Sequence, residues 1–287
     1  MKQKILPSLF ALFLALSFSS TKAQTDSTQV AADSVVKAKP QFKLSLNYNS
    51  NLNYYGRTDS LKSSGIFPLA ELWITPKFYL NAAPIFINNS LQSFDYAGAV
   101  ATIGYQHLTE KWLNHIYLLK PFYEPSSQLV QSALKAQAGA SFSRLNKVAN
   151  ITLGADAKLT NEVDFGAMAG LDHIIRMENK NNGVWVLNPS VYAYAGTQQF
   201  SRTYTVPKKK GLLQPATQQR VTEEVKTFSL LAYEASLPVV YAKGPWQWLL
   251  TPSYVIPQNL IQVPGRPDLS EQGQNTFYAT FTVKHTF

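Results

Sequence analysis

Residues 134–143 read LKAQAGASFS, and every second side chain in this stretch is apolar. Residues 151–159, ITLGADAKL, repeat the alternation with apolar residues at the odd positions. Neighbouring side chains of a β-strand point to opposite faces of the sheet, so the pattern predicts strands with one apolar face and one polar face. The same period of two extends from Phe42 to the C-terminus, and helical spacing is not sustained in any segment. The sequence therefore predicts an all-β fold.

Soluble β-sandwiches and membrane β-barrels both show alternating apolar and polar residues. The composition of the polar face must therefore distinguish the two folds. A soluble sheet would carry many Lys and Glu on its outer face. Here the polar positions are mostly Gly, Ser, Thr, Asn, Gln and Tyr, and only 15% of the chain is charged, against about 25% in typical soluble proteins. Such a face suits the interior of a barrel whose outer face meets lipid, and closure leaves no unpaired strand edge. We predict a closed, antiparallel, up-and-down transmembrane β-barrel over residues 41–287.

Turn signals divide the barrel into about twelve strands, although ten or fourteen are also compatible with the pattern. The predicted strands are 41–55, 66–80, 84–91, 95–108, 112–124, 131–143, 148–160, 163–176, 184–203, 222–241, 245–257 and 275–287. The short predicted periplasmic turns are Asn81–Ala83, Thr109–Lys111, Arg144–Lys147 and Ala242–Gly244, and the longest predicted external loops are Gly56–Gly65, Thr205–Val221 and Gln258–Gln274. Short periplasmic turns and longer external loops are typical of outer-membrane barrels.

The N-terminus predicts export from the cytoplasm. Lys2 and Lys4 precede an apolar run from residue 5 to residue 18, and small and polar residues then lead to Ala23. This order is typical of a secretory signal peptide over residues 1–23. Residues 24–40 are polar and lack aromatic residues, so we expect a flexible periplasmic tail.

Composition excludes several classes of protein. The chain has 287 residues and no cysteine, which excludes disulfide scaffolds and thiolate metal sites. No stretch of about 20 apolar residues is present, as a membrane-spanning helix would require. The basic excess is modest and not clustered, so no nucleic-acid partner is expected.

The last thirteen residues, NTFYATFTVKHTF (275–287), alternate apolar residues and end on phenylalanine. In this segment, in its leader and in its strand rhythm, the chain resembles Gram-negative outer-membrane β-barrel proteins. The resemblance is to the class and identifies no subfamily. It implies a location in the outer membrane, in contact with lipid and lipopolysaccharide. It also implies that the barrel-assembly machinery reads the final strand through Phe281, Val283 and Phe287, although His285 departs from the aromatic or aliphatic residue usual at its position.

Ten charged residues fall on the parity that faces the barrel interior. They are Lys43, Glu71, Lys135, Asp156, Lys158, Asp164, Asp172, Arg176, Glu234 and Lys284. One interpretation is an aqueous lumen with a mixed-charge constriction that selects small polar solutes. The other is that the charges pair across a filled interior. A barrel of eight strands is filled by side chains, and a barrel of sixteen strands contains an aqueous channel. A barrel of twelve strands is therefore compatible with both interpretations. Inward glycines such as Gly104, Gly139 and Gly170 favour some open space.

The sequence thus supports three functions in decreasing order: a narrow channel for small polar solutes, a non-conducting structural or ligand-binding barrel that acts through its external loops, and a lipid-active enzyme. The four histidines are expected at the periplasmic rim, and neither Gly-x-Ser-x-Gly nor His-Glu-x-x-His occurs. We therefore predict no catalytic residues, no metal and no cofactor. Lys208–Lys210 would lie in an external loop, where they could meet lipopolysaccharide phosphates or simply be solvated.

Overall fold

A computed structural model of the chain describes residues 39–58, 63–90, 93–124, 134–178, 182–208, 217–261, 270–271 and 273–287, with side chains described except at 199–225. The predicted signal peptide, most of the predicted tail, and the side chains of Lys208–Lys210 lie outside the described residues. Among the residues described, no helix is long and apolar enough to span a bilayer.

Twelve antiparallel strands run through the described residues. They are β1 (Gln41–Asn49), β2 (Ser64–Trp73), β3 (Phe78–Asn88), β4 (Asp95–Leu108), β5 (Trp112–Tyr123), β6 (Ala136–Arg144), β7 (Asn150–Leu159), β8 (Val163–Asp172 and Ile175–Glu178), β9 (Gly183–Leu187 and Ser190–Lys208), β10 (Thr217–Ser236 and Val239–Lys243), β11 (Trp246–Pro257) and β12 (Thr276–Thr286). Each strand pairs with its neighbours along the chain, and β12 also pairs with β1. The sheet therefore closes, which confirms the predicted antiparallel barrel of about twelve strands.

The start of β1 and the end of β12 lie at the same end of the barrel, which we call the terminal end. The backbone N–H of Phe287 donates to the carbonyl of Phe42 at 2.9 Å, so the first and last strands meet there. The connections 74–77, 109–111, 145–149 and 244–245 are also at the terminal end. The opposite end, which we call the loop end, carries the longer connections 50–63, 124–135 and 258–275.

The outer wall is apolar and the inner wall is largely polar, the reverse of a water-soluble protein. In β1, Leu46 is 52% exposed whereas its neighbours Ser45 and Asn47 are 7% and 3% exposed. The same contrast recurs in β5 and β12, where Leu118 and Phe281 face outward. An exterior of this kind is stable only against hydrocarbon, so the barrel spans a membrane.

A charge on this outer wall should be costly. Leu118 lies in the middle of β5 and is 52% exposed. We expect Leu118→Lys to lower the free energy of unfolding in lipid vesicles by about 2–4 kcal/mol, because the ammonium would lie near the bilayer midplane. Val148→Lys is the control, since Val148 is 83% exposed in a turn at the terminal end and should change stability by about 0–1 kcal/mol. Equal effects in urea titrations of the two variants would contradict a lipid-facing wall.

Two predicted connections are wrong. The predicted turn Asn81–Ala83 lies inside β3, and the chain instead turns at residues 74–77. There the Thr75 hydroxyl accepts the backbone N–H groups of Lys77 and Phe78 at 3.2 and 3.0 Å, so a local side-chain bond fixes the turn. The ninth connection is shorter than the predicted Thr205–Val221, because β9 and β10 extend into it.

Strands β8, β9 and β10 are interrupted at one level of the wall, which stays closed, and the interruptions of β9 and β10 contain Pro189 and Pro238. The pairing register is unchanged on both sides of each interruption. Backbone bonds bridge the level where proline lacks an N–H donor: His173 N–H to the carbonyl of Pro189 at 3.0 Å, and Asn188 N–H to the carbonyl of Pro238 at 2.9 Å. The wall is thus continuous on this side of the barrel.

Candidate functional site: the barrel interior

A charge cluster lies inside the barrel near the terminal end. The Lys284 ammonium contacts Glu71 Oε1 at 2.8 Å, and both side chains are only 7% exposed. Trp73 Nε1 donates to Glu71 Oε2 at 3.1 Å, and the Lys43 ammonium lies 4.6 Å from the centre of the Trp73 ring. One buried carboxylate therefore holds the centre of a cluster that contains two cations.

A second polar group lies further from the terminal end, on β6 and β7. The Lys158 ammonium contacts Asp156 Oδ1 at 3.0 Å, and the Gln137 amide donates to the same oxygen at 3.1 Å. Gln137 also donates to the Tyr117 hydroxyl at 2.9 Å. Asp156 and Lys158 keep 13% and 12% of their side-chain surface exposed, so this pair is less buried than the Glu71–Lys284 pair.

The other predicted interior charges are dispersed. Asp164 contacts Lys226 at the loop end at 3.3 Å, and Asn150 donates to Asp172 at 2.7 Å. The remaining three also lie apart from the charge cluster. Arg176 is exposed beside Glu178, and Lys135 is exposed just before β6. Glu234 accepts a hydrogen bond from the Tyr278 hydroxyl at 3.0 Å. The ten residues therefore form no single ring of charge.

The first connection folds into the barrel, which the sequence did not predict. Residues 50–58, which we call the inner loop, contain a two-stranded hairpin of Asn53–Tyr54 with Arg57–Thr58. Its turn needs positive φ at both central residues, Tyr55 at 54° and Gly56 at 76°, a conformation that glycine adopts freely. The Tyr55 ring then lies 4.8 Å from the Tyr194 ring on the inner wall of β9.

Arg57 fixes the inner loop to the far wall. Its guanidinium contacts Glu271 at 3.2 Å and donates to the carbonyls of Leu231 and Gln258, each at 3.0 Å. The arginine is 3% exposed. Glu271 also accepts the Ile261 backbone N–H at 3.0 Å, so one ion pair joins the inner loop to the connection between β11 and β12.

An apolar sector covers the inner wall of β2 to β5 toward the loop end, another feature that the alternation did not predict. It includes the buried residues Leu52, Phe67, Ala83, Ile85, Ile87, Val100, Leu119 and Leu134. Leu52 comes from the inner loop and Leu134 from the connection before β6. The sector therefore packs two connections against the inside of the barrel.

Inward glycines on the wall are covered by tyrosine rings from the neighbouring strand. The directly opposed pairs are Tyr79 with Gly104, Tyr117 with Gly139, and Tyr192 with Gly170. A Cβ atom at any of these glycines would overlap the ring opposite. The interpretation that these glycines indicate open space is wrong, because each provides room for an aromatic ring that lies along the sheet.

All four histidines lie among the described residues, and only His115 is buried. Its Nε2 is 2.7 Å from the Tyr79 hydroxyl, and its ring stacks on Tyr117. Within the described part of the chain, no three His, Asp or Glu side chains are grouped so as to hold a metal ion. The proposed assembly residues Phe281 and Phe287 are exposed on the outer wall, and Val283 is half-buried.

Comparison with known proteins finds similarity of structure alone. No family model matches the chain, and no characterised protein is similar to it in sequence. An outer-membrane channel from Pseudomonas putida F1 aligns with a TM-score of 0.48 and 10% identity over 90% of this chain and 100% of that one. The β domain of a Bordetella autotransporter aligns with a TM-score of 0.36 and 9% identity over 86% and 98%. The outer-membrane channel DcaP of Acinetobacter baumannii aligns with a TM-score of 0.26 and 6% identity over 90% and 100%.

Proposed function

We propose that this protein is a narrow channel for small polar solutes in the outer membrane of a Gram-negative cell. The observation that carries the proposal is the partial exposure of the Asp156–Lys158 ion pair inside a barrel whose exterior is apolar. Most inward side chains of β1 and β2 are buried, whereas Met168, Tyr192 and Glu234 are half-buried. The polar route therefore follows the inner wall of β7 to β10, beside the inner loop.

The proposal includes the expected biogenesis of an outer-membrane barrel. The signal peptide would be cleaved after Ala23, and the assembly machinery would read Phe281, Val283 and Phe287. Lipid and lipopolysaccharide would surround the apolar wall. No enzymatic activity is part of the proposal.

Single-channel recording tests the proposal directly. Purified protein that is folded, as judged by β-rich circular dichroism and heat-modifiable migration, should give small unitary currents in a planar bilayer. The inner loop is the reason to expect small currents, since it narrows the lumen. A folded barrel that stays silent would reject the channel.

The ion selectivity of those currents should depend on Lys158. Lys158→Glu replaces a cation–anion pair by two carboxylates in the polar route, so the reversal potential in a salt gradient should shift toward cation selectivity. Lys111→Glu is the matched control, because Lys111 is exposed in a turn at the terminal end. If both variants shift the reversal potential equally, the route does not pass Lys158.

A non-conducting barrel is the second candidate. The inner loop favours it, because a buried ion pair fixes that loop across the interior. In that case the connections at the loop end would carry a binding function. The same recordings separate the two candidates.

A further inference from the structure

The hydrogen-bond ladder between β2 and β3 has a gap in the middle of the wall. Ile66 pairs with Phe86 and Ala70 pairs with Ala82, but residues 67–69 form no ladder pairs with residues 83–85. The register is the same on both sides of the gap, so the interruption is not a β-bulge. The ladder pairs are therefore missing because residues at this level cannot form the hydrogen bonds between β2 and β3.

Pro68 and Pro84 cause the gap. The unchanged register places them directly opposite each other, at a position where an antiparallel pair exchanges two N–H···O bonds. Proline has no backbone N–H, so neither bond can form. This differs from the interruptions of β8 to β10, where the backbone N–H groups of His173 and Asn188 donate to the carbonyls of Pro189 and Pro238.

The surroundings of the gap are apolar on both faces of the wall. Inside lie Phe67, Ala83 and Ile85 of the apolar sector, exposed by 1%, 0% and 4%. Outside, the neighbours on the same strands are Ala70 and Ala82 on one side of the gap and Ile66 and Phe86 on the other. Separation of β2 from β3 at this level would break no ladder bond and expose no charged side chain.

The axial route is unfavourable for an apolar molecule that reaches the apolar sector. Glu71 follows Pro68 by three positions, and its cluster with Lys284 and Lys43 lies between the gap and the terminal end. Contact with an apolar molecule would remove water or partners from these charges, which costs several kcal/mol unless they remain paired. The gap leads instead directly to the hydrocarbon core.

We infer that the gap between β2 and β3 is a lateral port through which small apolar compounds pass from the barrel interior into the membrane. This function is additional to the polar route along β7 to β10. The compound would enter at the loop end, displace the connections that cover Phe67 and Ile85, and leave between Pro68 and Pro84. No covalent step is involved.

The test measures entry of the apolar fluorescent dye N-phenylnaphthylamine into cells whose outer membrane carries the protein. The chain has no cysteine, so the double variant Leu69→Cys/Ala83→Cys can form a single disulfide across the gap. These residues are directly opposite in the register, and such non-hydrogen-bonded pairs have Cα atoms about 4.5 Å apart, within the range that disulfides bridge. Dye entry should fall on oxidation to the rate of cells without the protein, and recover on reduction.

The matched control is Thr102→Cys/Leu119→Cys, an inward and directly opposed pair on the intact β4–β5 ladder. Its oxidation should leave dye entry unchanged. As an independent variant, Pro68→Ala/Pro84→Ala restores both N–H donors and should also slow dye entry, while ion conductance in planar bilayers stays at the wild-type value. Three results would each overturn the port: wild-type protein that does not accelerate dye entry, a cross-linked gap that does not slow it, or an equal loss in the control pair.

Discussion

Glu71→Gln is expected to lower the free energy of unfolding by about 3–5 kcal/mol, since removal of one partner of a buried ion pair leaves the other charge buried without compensation. Glu71 and Lys284 are 7% exposed and 2.8 Å apart. Lys43 belongs to the same cluster and lies over the Trp73 ring. The substitution would therefore remove the one carboxylate that lies near two cations. Urea unfolding in detergent or lipid, followed by tryptophan fluorescence and heat-modifiable migration, measures the change.

An exposed ion pair provides the control for this prediction. Lys226 and Glu162 are 3.1 Å apart but 38% and 60% exposed, so Glu162→Gln should change stability by at most about 1 kcal/mol. Lys284→Met in the Glu71→Gln background should recover a large part of the loss, because it removes the uncompensated charge. Similar stability for Glu71→Gln and Glu162→Gln would mean that solvent reaches the charge cluster.

The alternation of the sequence was sufficient to predict which wall of the barrel each side chain faces. The period of two is a local property of a strand, and β1, β6 and β7 show it over their whole length. β3 does not, because Ile85 and Ile87 face the apolar sector inside while Phe86 faces lipid outside. Its sequence, FYLNAAPIFIN, is therefore apolar on both faces, which explains why its bounds and the preceding turn were predicted wrongly.

The contents of the interior could not be predicted in the same way. The alternation places Glu71 and Lys284 on the inner wall. No local sequence pattern shows that β2 and β12, which lie on either side of β1, bring these two side chains into contact. Arg57 and Glu271 are 214 positions apart, and both lie in connections that the turn signals assign to the exterior. The tyrosines opposite Gly104 and Gly139 likewise depend on the register between strands, which one strand alone does not specify.

The contacts of Arg57 fix the inner loop across the interior of the barrel. Arg57→Ala removes the ion pair to Glu271 and the bonds to the carbonyls of Leu231 and Gln258. The inner loop would then keep its other contacts, among them the packing of Leu52 and Tyr55 and the hydrogen bond from the Gln274 N–H to the Gly56 carbonyl at 3.1 Å, but it would lose its ion pair to the far wall, so we expect it to leave the lumen more often. Unitary conductance in a planar bilayer should rise several-fold.

Arg144→Ala is the matched control, because Arg144 lies at the terminal end against the Trp112 ring and makes no contact with the inner loop. It should leave the conductance at the wild-type value. Glu271→Ala should resemble Arg57→Ala, and the double variant should add little, since both substitutions break the same contact. If folded Arg57→Ala protein conducts like the wild type, the inner loop does not limit the current.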